Sequence, residues 1–299
     1  MPLPPTPPPA SVPVSVQRVV LAMGTRLTLD GLPDPAAEGA LAEVARIEAA
    51  CSTWRPDSAW SRANGAGEAW TPLDGEWVAL LGEARAWAER TGGAFDPILG
   101  TLVEAWGLRR GGAAPTPGAL AAAREASGIR RLDLREGAVR LAAGARLEEG
   151  GFLKGYALDR ARSASGAASG LLDFGGQLLA WGEPRPAAIA APGDRTRARV
   201  LLRLQDASLS TSGCSERGRH ILDPRTGQPC PAWGEVAVVA PRALDADILS
   251  TALYVLGPGE GPAWARRHGV AALFLPRRGA PVATPAFRAL HPLFVPESP

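Results

Sequence analysis

From residue 170 onward the chain is a succession of short apolar runs divided by turn residues, and no other feature limits its fold as much. "GLLDFGGQLLAWG", "AAIAAP", "RARVLLRLQ", "ASLSTSG" and "GEVAVVAP" have strand length and are bounded by Gly, Pro, Asp or Ser. A run with helical spacing, "ALDADILSTALYVLG", then leads to a second helix, "GPAWARRHG", and a strand, "VAALFLP". The first half reads differently. "VQRVVLAMGTRLTLDGL" is a strand pair broken at Gly24, and "PAAEGALAEVARIEAACSTW" sets Leu41, Val44, Ile47 and Cys51 on one helical stripe. "EWVALLGEARAWAERTGG" is a second amphipathic helix closed by a glycine pair. "DPILGTLVEAWG" opens on Asp–Pro and predicts a helix from Asp96 to Gly107. A loop ("LRRGGAAPTPGA"), a short helix and a hairpin ("RRLDLREGAVRLAAGARLEEG") lead into "GGFLKGYALDRARSASG", a glycine turn feeding a helix. There is no internal repeat and no long linker. The expectation is therefore α+β: a single domain over residues 16–295 with a mixed β-sheet and flanking helices, behind a proline-rich flexible tail at residues 1–15.

Composition excludes several function classes. With 46% hydrophobic residues, the 299-residue chain can bury a sizeable core. Its 32 basic and 30 acidic residues leave a charge of +2, which gives no electrostatic case for a nucleic-acid partner. Three cysteines, Cys51, Cys214 and Cys230, are too few and too irregular for a disulfide framework. Cys214, His220 and Cys230 as metal ligands would match no zinc spacing. The opening "MPLPPTPPPASVPVSVQ" lacks the basic and apolar parts of a signal peptide. No segment reaches the roughly 18 apolar residues of a membrane span. On the sequence as given, cytoplasmic residence is expected.

Rare residues point to chemistry. Lys154 is the only lysine, Asn64 the only asparagine, and Met23 the only methionine after the first. Arginine cannot replace lysine where a compact ammonium is needed, and asparagine carries donor and acceptor on one short arm. In "EEGGFLKGYALDRA", glycines 150, 151 and 155 surround Lys154 at the mouth of a helix. Free N–H groups and an ammonium there suit a phosphate or diphosphate, although an ordinary glycine turn would read the same way. "LLDFGGQLLAWG" bulges at Gly175–Gly176, for structural reasons or for the approach of a ligand.

"STSGCSERGRHILDPRTGQP" gathers hydroxyls, glycines, Asp223 and His220, one of three histidines; its bland alternative is a hairpin with a polar turn. "ALDADILSTALYVLG" sets Asp247 and Thr251 four apart on one helical face, where they can hold a hard cation, unless Asp245 or Asp247 is simply a helix cap. "STWRPDSAWSRAN" and "AFDPILGTLVEAWG" supply aromatic and hydrogen-bonding groups for a flat heterocycle, or else core aromatics.

Taken in order, these stretches resemble the ApbE family of FAD:protein FMN transferases. The matching runs are "MGT" (23–25), "STWRPDSAWSRAN" (52–64), "GGAFDPILGTLVEAWG" (92–107), "GGFLKGYALDRA" (150–161) and "LLDFGG" (171–176). "STSG" (210–213), "HILDPRTGQP" (220–229) and "DADILSTALYVLG" (245–257) complete the series. The resemblance implies Mg²⁺-dependent transfer of the FMN moiety of FAD to a Thr or Ser hydroxyl of an acceptor flavoprotein, with release of AMP. It also implies that Asp247, Thr251 and the backbone carbonyl of Leu153 ligate the metal, and that His220 is the catalytic residue. Met23, Gly24, Thr25, Asn64, Ala94, Phe95, Asp96, Lys154, Gly175, Gly176, Ser212 and Gly213 would hold FAD.

The chain departs from the family pattern in three places. Glu148–Glu149 stand where Asp–Leu is common before the glycine pair, Gln177 stands where Asp or Asn often follows the strand's glycines, and Cys214 replaces an acidic or amide residue. Many members also carry an export signal and a lipid-anchored cysteine; the sequence as given shows neither, which leaves cytoplasmic residence or a truncated start as the two expectations. The rival readings are a Mg²⁺-dependent FAD pyrophosphatase and a non-catalytic FAD-binding paralogue.

Overall fold

Two-residue turns fix the pairing of the main sheet. Strand β1 (Arg18–Ala22) passes through Met23 and Gly24 into β2 (Thr25–Asp30), with Ala22 opposite Thr25. Both turn residues have positive φ, 45° at Met23 and 71° at Gly24, the geometry whose twist matches a tight antiparallel hairpin. The structure is a computed structural model describing residues 17–213 and 220–296, so the expected tail at 1–15 and the departure at Cys214 lie outside the described residues.

Helices then dominate: α1 (Asp34–Cys51), α2 (Ala59–Gly65), strand β3 (Thr71–Pro72), α3 (Gly75–Arg90), α4 (Gly100–Ala105) and α5 (Pro117–Glu125). Single 3-10 turns stand at Leu108–Arg110 and Ile129–Arg131. The hairpin β4 (Leu132–Arg135) and β5 (Ala138–Leu141) precedes α6 (Leu153–Ser165). Next come β6 (Gly170–Phe174), β7 (Gln177–Trp181), β8 (Arg185–Ala191), β9 (Asp194–Leu204) and β10 (Ala207–Gly213). The small hairpin β11 (Leu222–Asp223) and β12 (Gln228–Pro229) leads to β13 (Gly234–Ala240) and α7 (Ala243–Arg267). The chain closes with β14 (Ala271–Pro276), β15 (Val282–Ala283), α8 (Pro285–Arg288) and β16 (Leu293–Phe294). Gly257, at φ 71° and ψ −177°, breaks α7 where the sequence predicted two helices.

The helix expected from Asp96 begins only at Gly100. The Asp96 carboxylate accepts from Ile98 N at 2.8 Å and, with its other oxygen, from Ile129 N at 2.7 Å. A residue tied to a segment 33 positions away closes a turn instead of starting a helix.

Eight strands form the main sheet in the order β1-β2-β6-β7-β10-β13-β14-β15. The α+β class holds, and within it the sheet is antiparallel at every pairing among the described residues rather than mixed. Both faces of its centre are covered. Val236, Val238, Leu179 and Phe274 pack with α1, α6 and α7, whereas Val239, Ala237, Ala180 and Leu273 pack with β8, β9 and Phe287. Alternation sends successive side chains to opposite layers, so "GEVAVVA" is buried at all seven positions and, Glu235 apart, reads as an apolar run.

Helices α6 and α7 cross almost backbone to backbone. A Cβ on Gly155 would lie 2.3 Å from Ala243 O and 2.8 Å from Asp247 Cβ. At that crossing Asp159 caps α7 from outside, accepting from Ala243 N at 2.8 Å and Leu244 N at 3.0 Å. Neither Asp245 nor Asp247 caps the helix, since the N-cap is Arg242 with no side-chain bond. Gly155→Ala should therefore separate the helices and, as overpacking does, cost about 1–3 kcal/mol despite alanine's better helix propensity. Urea unfolding measures the loss, and wild-type stability would show that the crossing yields freely.

Candidate active site

The crossing of α6 and α7 assembles a polar site from four of the sequence motifs. Asp247 is 4% exposed, and its Oδ2 accepts from Gly155 N at 2.9 Å. The Lys154 Nζ stands 3.8 Å from the same oxygen, close enough for charge attraction but outside hydrogen-bond length. One turn further along α7, Thr251 faces the glycine turn: a Cβ on Gly151 would lie 3.4 Å from Thr251 Oγ1 and 3.5 Å from Phe95 Cε2. Ser250 ties this helix to β10, sharing hydrogen bonds with Ser212 Oγ at 2.8 Å and Ser210 Oγ at 3.1 Å, and donating to Asp247 O at 3.0 Å. Gly151, Lys154, Phe95, Asp247, Thr251 and Ser212 thus converge, and Leu153 stands between Gly151 and Lys154 in the chain as a buried core residue.

A second group meets at the adjoining end of the sheet. The β6–β7 turn is Gly175–Gly176, with φ 60° and 91°, and a Cβ on Gly175 would sit 2.5 Å from Thr25 Oγ1. The glycine tip therefore lies against the Met23–Gly24–Thr25 tip, and only glycine fits there. Ser210 pairs with Gln177, so the register carries β10 past the same tip to Ser212 and Gly213. Met23 holds φ 45° without being glycine, a conformation that costs free energy and is typical of residues held for function.

His220 stands half-buried immediately before the small hairpin. Ile221 O accepts from Cys230 N at 2.8 Å, and Pro231 O accepts from Tyr254 Oη at 3.0 Å. Tyr254 lies three residues beyond Thr251, so the His220 hairpin is strapped to the helix that carries the candidate metal ligands. Its turn docks on the other wall: Trp106 Nε1 donates to Gly227 O at 2.7 Å and Arg124 Nη2 to Arg225 O at 3.2 Å. The hairpin with a polar turn exists, and it is anchored at both ends.

Two predicted ligand residues act on the protein's own backbone. Asn64 Oδ1 accepts from Leu147 N at 2.6 Å and its Nδ2 donates to Leu147 O at 3.1 Å, which uses both functions of the only asparagine. Asp96 holds Ile98 and Ile129 as described, and burial pushes its carboxyl up to about 6 against the pull of those two N–H groups. Ala94, buried, leads into Phe95, whose ring meets Phe152 edge-on at 5.7 Å. Gln177, a departure from the family pattern, points inward, donating to Ala243 O at 2.7 Å, and so braces the start of α7.

The match to the ApbE family model runs from residue 23 to residue 274. This chain belongs to the ApbE family. It is 36% identical to the FAD:protein FMN transferase of Treponema pallidum (strain Nichols) over 284 residues, covering 81% of this chain and 78% of that protein. It is 31% identical to the FAD:protein FMN transferase of Salmonella typhimurium over 255 residues, covering 76% and 73% respectively. The apo Pseudomonas stutzeri flavinyl transferase ApbE superposes with a TM-score of 0.82 at 30% identity, over 92% of this chain and 96% of that one. The ApbE protein of Thermotoga maritima gives 0.86 at 26% identity, over 92% and 99%.

Two residues that build this region escaped sequence reasoning: Asp159 and Ser250. Asp159 and Ser250 lie inside quoted motifs, but nothing local says that one caps a distant helix and the other bridges to a strand. Lys154→Arg tests the ammonium beside Asp247. The planar guanidinium keeps the charge but fits a cramped glycine turn poorly. FAD binding should weaken by about tenfold, consistent with a lost charge-assisted contact of order 1.5 kcal/mol; unchanged titration would mean that charge alone suffices.

Proposed function

We propose that the chain transfers the FMN moiety of FAD to a threonine or serine hydroxyl of an acceptor flavoprotein and releases AMP. The observation that carries this reading is the buried Asp247 carboxylate, set between the Gly155 N–H, the only lysine and the Thr251 turn. Membership of a family whose relatives are named FAD:protein FMN transferases supports it.

The donor set fits a hard cation. Asp247, Thr251 and the Leu153 carbonyl are all oxygen donors, and among the described residues no three His, Cys, Asp or Glu side chains form a closed metal cage. Such a partial shell suits Mg²⁺, which keeps room for phosphate oxygens. Mg²⁺ would neutralise charge on the diphosphate. Lys154 and the Gly150–Gly151 turn would hold the same diphosphate, while Phe95 and the two hairpin tips would wall the rest of FAD.

His220 would accept the proton of the acceptor hydroxyl. That oxygen bonds to the FMN-side phosphorus, the diphosphate bridge breaks, and AMP departs with the bridging oxygen. The transition state is loose, so positioning and charge neutralisation account for most of the rate. Among the described residues no helix is long and apolar enough to cross a membrane.

Asp247→Ala should abolish Mg²⁺-dependent AMP release while Thr251→Ala, which water can partly replace, does less. Turnover at limiting Mg²⁺ measures both, and an active Asp247→Ala protein would displace the metal from this site.

His220→Ala should still bind FAD but transfer flavin roughly 10²–10⁴-fold more slowly, the usual cost of losing a general base. Covalent flavin on the acceptor and AMP are followed together. AMP release without acceptor at the full rate would favour the pyrophosphatase reading, and wild-type transfer by His220→Ala would place the base elsewhere.

A further inference from the structure

Arg109 gathers three separated segments beside the candidate site. It projects from the 3-10 turn after α4, and its guanidinium carbon lies 4.5 Å from the centre of the Trp54 ring. Nη1 donates to Thr53 O at 2.9 Å, while Nη2 donates to Thr53 Oγ1 and, at 2.6 Å, to Glu148 Oε2. Glu149 accepts from Thr53 N at 3.2 Å and from the Thr53 hydroxyl. These acidic residues lead directly into the glycine turn. Glu149 O accepts from Phe152 N at 3.3 Å and Leu153 N at 3.2 Å, which starts α6, and Gly151 then packs against Thr251 and Phe95. Any shift of Glu148–Glu149 is thereby passed to the residues that face the diphosphate.

We propose that Arg109 is a positioning residue for FAD: its clamp on Thr53 and Glu148 sets the Gly150–Gly151 turn against Thr251 and holds Trp54 beside it. This inference rests on the FAD-site reading given above. The charges around the clamp do not balance. One guanidinium, 24% exposed, serves two carboxylates, 15% and 11% exposed, with Glu149 Oε2 3.9 Å from Nη2. The groups that face Glu148 are Glu149, Arg109 and the Gly150 N–H; the Cys51 thiol, at the end of α1, faces Glu149 and is itself held protonated by burial. Burial and the Glu149 charge together outweigh Arg109 and push the Glu148 carboxyl well above the usual carboxylate range.

A carboxyl raised in the ordered state favours that state when protonated. Once Glu148 is ionised, two negative charges face one positive charge and the incoming diphosphate; a bound diphosphate raises the Glu148 carboxyl further, so FAD affinity falls as pH rises. The two neighbours should move this dependence in opposite directions. Glu149→Gln removes the repelling charge and lowers the Glu148 titration; Arg109→Met removes the attracting charge and raises it.

Flavin-fluorescence titration with FAD, from about pH 5.5 to about pH 8.5, reads the linkage directly. Expected in the wild type is an affinity that falls as pH rises through the raised titration of Glu148. Glu149→Gln should move the midpoint down and Arg109→Met up, each by about one pH unit, and Arg109→Met should bind FAD about tenfold more weakly above it. If Arg109→Met does not fold, Arg109→Lys, which keeps the charge but loses the fork onto Thr53 and Glu148, is titrated in its place, and wild-type FAD affinity in it overturns the role of Arg109. Unshifted midpoints, or no pH dependence in a wild type that binds FAD, overturn the role of Arg109 and leave the FAD site standing. A wild type that does not bind FAD at all overturns both.

Discussion

The approach of α6 to α7 through Gly155 is the contact on which the rest of this molecule depends. It brings an N–H to the Asp247 carboxylate, sets Lys154 within 3.8 Å of it, and lets Asp159 take up two of the N–H groups at the start of α7. A carboxylate this deeply buried is costly unless donors and cations surround it. Here the fold supplies one N–H and one loose ion pair, which leaves Asp247 only partly compensated and chemically available. The same close approach therefore does two jobs: it packs two helices and brings an N–H and an ammonium to the buried carboxylate at which the cation is proposed.

Covering the sheet on both faces gives the site its rigidity. The helices lie on one side, the β8–β9–β16 sheet on the other, and the central strand β13 is fully buried between them. The tips at Met23–Gly24 and Gly175–Gly176 meet where Thr25 fills the space that only a glycine at 175 leaves open. The strain of a methionine at positive φ is tolerable because this frame holds it. Serine 250, buried, links the two halves by hydrogen bonds to β10.

The acidic pair at Glu148–Glu149, where the family commonly has Asp–Leu, is matched by Arg109 and Thr53 from elsewhere in the chain. Gln177, another departure, is matched by Ala243 O. In both places an altered side chain has found partners inside the protein, and the converging site residues Asp247, Thr251, Lys154 and Gly151 stay grouped.

The sequence by itself determined the elements and the family. Period-2 and helical apolar patterns marked most strands and helices, glycines marked the turns, and the scarce Lys154 stands beside the buried Asp247 carboxylate while Met23 stands in the β1–β2 turn. Asn64, expected to hold FAD, spends both functions of its amide on the Leu147 backbone. Periodicity carries local information only, since it records which face of one element meets apolar matter. It could not tell that Asp96 binds Ile129 and so delays a helix, that Asp159 caps α7, or that Arg109 joins Thr53 to Glu148, because each partner lies dozens of residues away. Those pairings, and the antiparallel order of the eight strands, were decided only when the tertiary structure brought distant donors to buried acceptors that had no other way to be satisfied.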